Sequence, residues 1–432
     1  MKKILILTPI IPYPLSEGGI VAQYAIADYL RKKMKLIFIF ILKKQNHIIA
    51  VEELKKQWPE VDIYTINCIP KKIKKPLIKN FFNKIITFLY KLSNLLSTKD
   101  NILITKNIFQ EDLQNCVNFI RPLNKDYIEK ISEISKKEKL DIIQVEHFGF
   151  MNLIFTLPKG IPTVFVHHEL QFARLNTSRQ IINSEKLNDY NYNNYVYNLL
   201  KCMEKAILEK YSAVITFSDI DKKKLEQLLS LDNIYNSPFP ILESAFCKYA
   251  KEEFTIEKLI FVGSDVHSPN FDGLRWFINE LYEEVYRETH LKLEVIGNWS
   301  IENQKLFESY ENIKFLGFVE NLQSYSRNSI QIVPIRTGSG IRTKILYSMA
   351  QFTPVVTTII GIEGIDAKDT EEVMIAKNGK EFIEKIKYLF DHKEKAYQIA
   401  EKAQNFVKAN YTQEVLGNRR LEIYQNLIDK KI

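Results

Sequence analysis

Ile4-Leu5-Ile6-Leu7, a loop punctuated by Pro9, Pro12, Pro14, Gly18 and Gly19, a helical run from Val21 to Lys33, and Leu36-Ile37-Phe38-Ile39-Phe40-Ile41-Leu42 make one unit of strand, loop, helix and strand. Strands apolar at every position bury both faces, and when helices separate them they mark a parallel sheet covered on both sides. The rhythm returns at Ile142 to Val145, Thr163 to Val166 and Ala213 to Phe217, after which Ser218 and Asp221 have the spacing of a helix capping box. Two prolines in Asn236-Ser237-Pro238-Phe239-Pro240 interrupt regular structure. A second series then runs through Leu259 to Gly263, Leu291 to Gly297, Ile313 to Leu316, Ile330 to Pro334, Pro354 to Thr357 and Val373 to Ala376. The expected fold is α/β: two doubly wound Rossmann-like domains facing across a cleft. Residues 1–240 form the first, 241–410 the second, and 411–432 a C-terminal helix that packs back towards the first.

Composition narrows the function. With 46% hydrophobic and 26% charged residues the chain is globular. Its net charge of +8, from 60 basic and 52 acidic residues, falls short of the field of a dedicated nucleic-acid binder. Cys68, Cys116, Cys202 and Cys247 lie far apart with no CxxC pair, the pattern of thiols in a reducing compartment and not of a structural zinc site. Pro9 cuts the first apolar run far short of a secretory leader, and Leu36 to Leu42 is too short to span a bilayer, which takes about 20 residues. The expected setting is cytoplasmic. Residues 71–91 stand apart: seven lysines and no acid are interleaved with aliphatic and aromatic residues at helical spacing. That pattern suits an interfacial helix on an anionic membrane, with Lys71, Lys72, Lys74, Lys75 and Lys79 at the lipid, or else a helix over the first sheet with solvated lysines. Residues 183–198, rich in Asn and Tyr, read as a polar helix or a loop.

The sharpest local signal is Thr337-Gly338-Ser339-Gly340-Ile341-Arg342-Thr343-Lys344-Ile345-Leu346, between a strand ending at Pro334 and a helix running to Ala350. Glycines let a ligand approach the backbone, amides at a helix start point outward, and the dipole favours an anion. Arg342 and Lys344 add cations there, both expected on a solvent-facing loop. A pyrophosphate could be held in this way without a metal. The plain alternative is a glycine turn with two solvated cations. Gly18-Gly19 occupies the corresponding strand-to-helix turn of the first domain. His167-His168-Glu169 follows the strand Thr163 to Val166, and Glu146-His147 ends the strand before it, so imidazoles and carboxylates collect at one sheet edge. Asp219-Ile220-Asp221 has a metal-motif spacing but sits where helix caps belong.

Together these residues resemble a GT-B glycosyltransferase of the retaining family 4 (glycosyl transferases group 1). The resemblance covers nearly the whole chain. It rests on Pro-x-Pro with Gly18-Gly19, on Pro162 to His168, on Phe261-Val262-Gly263 with Pro269-Asn270, and on Gly338-x-Gly340-x-Arg342-x-Lys344-x-Leu346 followed by Met349-Ala350, Pro354-Val355-Val356 and Gly361-x-Glu363-Gly364. It implies transfer of a sugar from a nucleotide-sugar donor to a saccharide or lipid-linked saccharide, with retention and with neither metal nor other cofactor. His168, Arg342 and Lys344 would then be catalytic: His168 at the donor sugar, the other two at the leaving diphosphate. Gly18, Gly19, Gly263, Ser264, Gly338, Ser339, Gly340, Ile341, Tyr347 and Glu363 would bind the donor, and Glu146 and His167 would lie on the acceptor side. Two departures stand out. Ser339 and Tyr347 replace the family's two glutamates, the second of which normally binds the nucleotide ribose, and Gly263-Ser264-Asp265-Val266-His267 lacks the usual basic pair. A catalytically silent relative that binds a nucleotide sugar or a partner enzyme, or a nucleotide-sugar 2-epimerase, are the alternatives.

Overall fold

The computed structural model describes residues 1–15, 18–70, 121–173, 175–176, 190–338 and 340–430. Segment 71–91 with Lys71, Lys72, Lys74, Lys75 and Lys79 lies outside the described residues, as do Glu17, Cys116 and Ser339.

Seven strands build the first sheet: β1 (Lys3–Leu7), β2 (Lys35–Leu42), β3 (Asp62–Asn67), β4 (Ile142–Glu146), β5 (Thr163–Val166), β6 (Ala213–Thr216) and β7 (Ile234–Asn236). Their spatial order is β3-β2-β1-β4-β5-β6-β7 and every pairing is parallel. The second sheet holds β8 (Lys258–Val262), β9 (Lys292–Ile296), β10 (Ile313–Gly317), β11 (Ser329–Val333), β12 (Val355–Thr358) and β13 (Met374–Ala376). It is ordered β10-β9-β8-β11-β12-β13 and is again parallel. Two doubly wound domains are thus observed. Each has its switch in winding direction beside its first strand, between β1 and β4 and between β8 and β11, which is where such sheets open a crevice at their carboxyl ends.

The apolar strands bury both faces because helices cover both. Along β1, Ile4 and Ile6 join one core with Phe38, Phe40, Ala22 and Ile26, while Leu5 and Leu7 join the opposite core with Ile37, Ile39, Tyr127 and Ile131. In β2 every residue after Lys35 is buried, and each such Leu, Ile or Phe contributes about 2 kcal/mol through removal from water. The strands that sequence periodicity misses, β3 and β7, are the two edges of this sheet. Their half-solvated faces admit Asp62, Tyr64, Thr65 and Asn67, or Tyr235 and Asn236, so no continuous apolar run marks them. The first helix, Gly18–Leu30, also begins earlier than its apolar pattern suggests: Gly18-Gly19 is its first turn. Helix Tyr190–Leu208 occupies part of the Asn- and Tyr-rich stretch.

The chain crosses between the domains twice, side by side. Ile241 donates its amide to the Tyr411 carbonyl at 2.7 Å and bridges to Thr412, so the linker after β7 runs beside the return segment. Thr412 Oγ1 then caps the helix Gln413–Asp429 by accepting from the Val415 amide. That helix packs Ile423, Tyr424, Leu427 and Ile428 into the core of the first domain. Its closest approach is to Gly18–Leu30, where a β-carbon at Gly417 would lie 2.1 Å from the Tyr29 ring. Tyr29 Oη donates to Asn418 Oδ1 at 2.7 Å and Gln413 Nε2 to the Ala25 carbonyl at 2.9 Å, fixing the crossing. Among the described residues no helix is long and apolar enough to cross a membrane, and Cys68, Cys202 and Cys247 are free thiols.

Gly417→Val is expected to wedge these two helices apart and destabilise the protein by about 1–3 kcal/mol. Urea unfolding should show the lowered midpoint, and Tyr29→Ala in the same chain should recover part of the loss, because the two sites touch. A midpoint unchanged in Gly417→Val would mean that the crossing is looser than described.

Candidate active site

Four elements converge between the domains: the helix starts at Gly18 and Thr343, the turn after β5 with its histidines, and the turn after β8. A β-carbon at Gly18 would lie 3.1 Å from Thr343 Oγ1, so the amino ends of Gly18–Leu30 and Thr343–Ala350 face each other across the cleft. Gly340 has φ +82° and its Cα side faces the His168 carbonyl oxygen, 3.6 Å from where a β-carbon would stand. Gly364 approaches Ser218 more tightly, at 2.9 Å on the same measure. A side chain at Gly364 would force Ser218 to shift.

Arg342 occupies the N-cap position of Thr343–Ala350 but supplies no cap hydrogen bond, since a guanidinium has no acceptor. Its Nη1 donates to the Gly340 carbonyl and its Nη2 reaches the Thr337 carbonyl at 3.5 Å, so the side chain folds over its own loop. Burial lowers its pKa, while the carboxylates of Glu169, Glu363 and Asp221 act in the opposite direction. Lys344 donates from Nζ to Asn270 Oδ1 at 2.8 Å and stands 4.9 Å from the Phe261 ring centroid. A β-carbon at Gly263 would lie 2.8 Å from the same ammonium, so the glycine ending β8 leaves room for it. Desolvation, with Arg342 nearby, pushes the Lys344 pKa down to about 7. The solvent-facing loop expected for these two cations is therefore corrected: both are half-buried, and Lys344 donates to an amide oxygen where a carboxylate would ordinarily stand.

Asn270, on the helix Ser268–Phe277, enters the sequence reading only within Pro269-Asn270 and with no site role, yet it joins Lys344 to the Ser264 carbonyl, 2.9 Å from its Nδ2. Ser264 Oγ is engaged with the Asn298 carbonyl at 2.7 Å. Asp265, in the stretch without the usual cations, accepts from the Ser300 amide and hydroxyl and from Asn303, and those bonds hold its carboxyl below the usual range against desolvation. Glu363 pairs across the cleft with Lys224 at 3.3 Å. Gly338 has φ +98° and abuts Pro269; Ile341 packs with apolar residues of both domains. Gly19 is exposed in the first helical turn.

The neighbouring histidines separate. His168 is partly exposed, with Nε2 3.4 Å from Glu146 Oε2 and with the rings of His147, Phe217 and Phe239 around it at 4.6, 5.1 and 5.3 Å. His167, expected on the acceptor side, is corrected: its side chain is 0% exposed and its Nε2 meets Glu204 Oε1 at 2.6 Å, inside the domain. Glu204 also accepts the amides of Gln171 and Phe172, so this pair shapes the turn carrying His168. Successive residues leaving a strand point to opposite sides, and only one of the two can reach the cleft. His147, placed at this sheet edge by the sequence but given no role there, sits at φ +74°; burial, with His168 and His167 close by, pushes its pKa down to about 3, so it stays neutral.

Tyr347 does not present its hydroxyl to a ligand. The oxygen is buried near the Leu242 backbone, burial raises its pKa, and the residue packs against the cluster holding Ile241, Val333 and Leu346. Among the described residues no three His, Cys, Asp or Glu side chains group closely enough to hold a metal.

Comparison with known proteins places this geometry. Residues 256–392 match the model described as Glycosyl transferases group 1. An uncharacterized 44.6 kDa protein in the cps region of Klebsiella pneumoniae is 30% identical over 174 residues, 38% of this chain and 45% of that protein, so the match spans about half its length. Among solved structures, sucrose-phosphate synthase from Thermosynechococcus elongatus aligns over 99% of this chain and 100% of its own, with a TM-score of 0.66 at 13% identity. A mutant of S. aureus TarM, solved with Fondaparinux, alpha-GlcNAc-glycerol and UDP, aligns over 99% and 100% with a TM-score of 0.63 at 15% identity. Residues 256–392 thus carry a glycosyl transferases group 1 domain, and the chain as a whole has the GT-B fold of two facing Rossmann-like domains.

Proposed function

We propose that this protein is a metal-independent, retaining glycosyltransferase that moves a sugar from a nucleoside-diphosphate sugar to a saccharide or lipid-linked saccharide. The observation carrying this reading is the meeting of two helix amino ends, Gly18 and Thr343, beside Lys344 and Arg342. A diphosphate there accepts from amides of both domains and sets an anion beside the Lys344 ammonium, with the Arg342 guanidinium close by. The glycosyl transferases group 1 match and the structural neighbour solved with UDP support it. The lysine-rich stretch 71–91 and the relative in a cps region support a place in cell-surface polysaccharide synthesis at the inner face of the membrane.

In the reaction, the bond from the anomeric carbon to the diphosphate oxygen breaks, the acceptor oxygen bonds to that carbon on the same face, and the acceptor proton passes to the departing phosphate oxygen. No protein base is needed. The demand on the protein is charge stabilisation at the leaving group, where loss of one fixed donor typically costs about 3 kcal/mol, roughly two powers of ten in rate. His168 would face the donor sugar.

Tyr347 favours a second reading. With its hydroxyl buried towards Leu242 it offers no carboxylate to a ribose, as a silent nucleotide-sugar binder would tolerate. Incubation with UDP, GDP, ADP, CMP and dTDP sugars, with mass detection of the released nucleotide, separates the two. Turnover is expected for one donor class and should survive EDTA; binding without turnover would install the silent relative, and a loss restored only by divalent ions would remove metal independence. Lys344→Ala and Arg342→Ala should each lower turnover by about tenfold to a thousandfold, with no loss of thermal stability in Lys344→Ala because a desolvated cation is removed. Wild-type rates in both would sink the assignment.

The depressed pKa of Lys344 gives a further test. Against an unfolded value of 10.5, a folded value of about 7 means that the free protein has given up this proton between those limits. A bound diphosphate favours the charged ammonium, so nucleoside diphosphate binding at pH 8 should take up a proton, approaching one per site. Calorimetry in two buffers of different ionisation enthalpy measures the uptake. It should vanish in Lys344→Met; uptake that persists there would assign the proton elsewhere.

A further inference from the structure

Gln144 and Glu146 are two residues apart on β4, so their side chains leave the same face of the sheet. Both are 1% exposed, as is Tyr424, which arrives from the last helix. The three form a series: Tyr424 Oη with Gln144 Oε1, Gln144 Nε2 with Glu146 Oε1, and Glu146 Oε2 with His168 Nε2 at 3.4 Å. Burying three polar groups in line costs free energy that an apolar set would not, unless each bond is made.

The direction of every bond follows from one member. A carboxylate accepts and cannot donate. Gln144 must therefore turn its amide nitrogen to Glu146, which leaves its oxygen to accept from the Tyr424 hydroxyl. On the other side, His168 must carry its hydrogen on Nε2, which leaves Nδ1 as the acceptor of the neutral ring. The aromatic rings of Phe217 and Phe239 confine the imidazole but offer neither donor nor acceptor, so they cannot choose its tautomer. His147 lies tilted against it, with ring centroids 4.6 Å apart, and is held neutral by burial. One turn before Tyr424, Arg420 is 0% exposed and donates from Nε and Nη2 to the hydroxyl and carbonyl of Ser237. The helix that supplies the first hydroxyl is thus pinned to the linker between the domains.

We propose that Tyr424 and Gln144 are positioning residues that act through Glu146 to hold His168 as its Nε2–H tautomer, keeping Nδ1 as the hydrogen-bond acceptor for a donor-sugar hydroxyl. The sugar is taken from the transferase reading above; the tautomer is independent of it.

Two measurements on the full chain keep these apart. Long-range proton–nitrogen spectra of protein labelled with 15N-histidine distinguish Nε2–H from Nδ1–H, and His168→Gln assigns the signal among the 7 histidines. Wild-type protein should show only the Nε2–H form of His168. Tyr424→Phe, which keeps the ring, and Gln144→Leu should each introduce the second tautomer. Kinetically, the same variants should lower kcat several-fold on whichever nucleotide sugar the wild type turns over, with the Kd for its nucleoside diphosphate unchanged. A His168 spectrum in Tyr424→Phe identical to wild type, or an Nδ1–H form in the wild type, overturns the proposal, and so does an equal effect on nucleotide affinity and kcat. If Gln144→Leu does not fold, Gln144→Asn, too short to reach both partners, takes its place with the same expectation. A wild type that turns over no nucleotide sugar removes the transferase reading, and the spectra then decide the tautomer alone.

Discussion

An ammonium held by an amide oxygen, an aromatic face and a glycine sets the character of this cleft. Among the described residues Lys344 has no carboxylate partner, and a half-buried cation so placed is either neutralised or waiting for an anion. Lys344 is placed there by the helix that opens after the Gly338–Gly340 turn, and Asn270 by the helix that opens after β8, so both ends of the interaction hang on the switch point of the second sheet. The same lysine would be unremarkable on a surface helix. Its chemistry comes from the removal of water by Phe261 and the Gly263 backbone.

The first domain answers with a different arrangement. Its two consecutive histidines each take a glutamate, but the pairs do different work. His167 and Glu204 close inside the domain, with Glu204 also binding two amides of the following turn, so that pair fixes the turn's shape. His168 and Glu146 lie at the edge, with the imidazole partly open. The inner pair supports the outer one, and a charge change in it would be felt as a displaced loop.

Close approach helps to hold the two halves in register. Gly340 faces the His168 carbonyl, while Gly18 and Gly364 admit the side chains of Thr343 and Ser218. Lys224 with Glu363 is a cross-cleft ion pair about a third exposed, the kind that contributes modestly and is screened by salt. The stronger tether is covalent and helical: the chain returns beside its own linker and buries the last helix in the first domain. Motion of one domain against the other must therefore bend at Asn236 to Ile241 and Tyr411 to Thr412 together.

The sequence alone carried the strand rhythm, both winding series and the glycine turn with its two cations, because apolar periodicity and strand-to-helix punctuation are local and each sits within some ten residues. Edge strands β3 and β7 escaped it, since their solvated faces erase the apolar run. The family resemblance set His168 at the donor sugar, but the sequence did not say that His167 would close inside the domain, nor that Tyr347 would turn its hydroxyl to Leu242, nor that Lys344 would lose its water. Those follow from which surfaces are pressed together. Tyr424 and Gln144 are 280 residues apart and nothing in either neighbourhood marks the other. Only packing of the final helix onto the first sheet brings a hydroxyl, an amide, a carboxylate and an imidazole into one line, because the burial that makes each bond necessary exists only once the chain has folded back on itself.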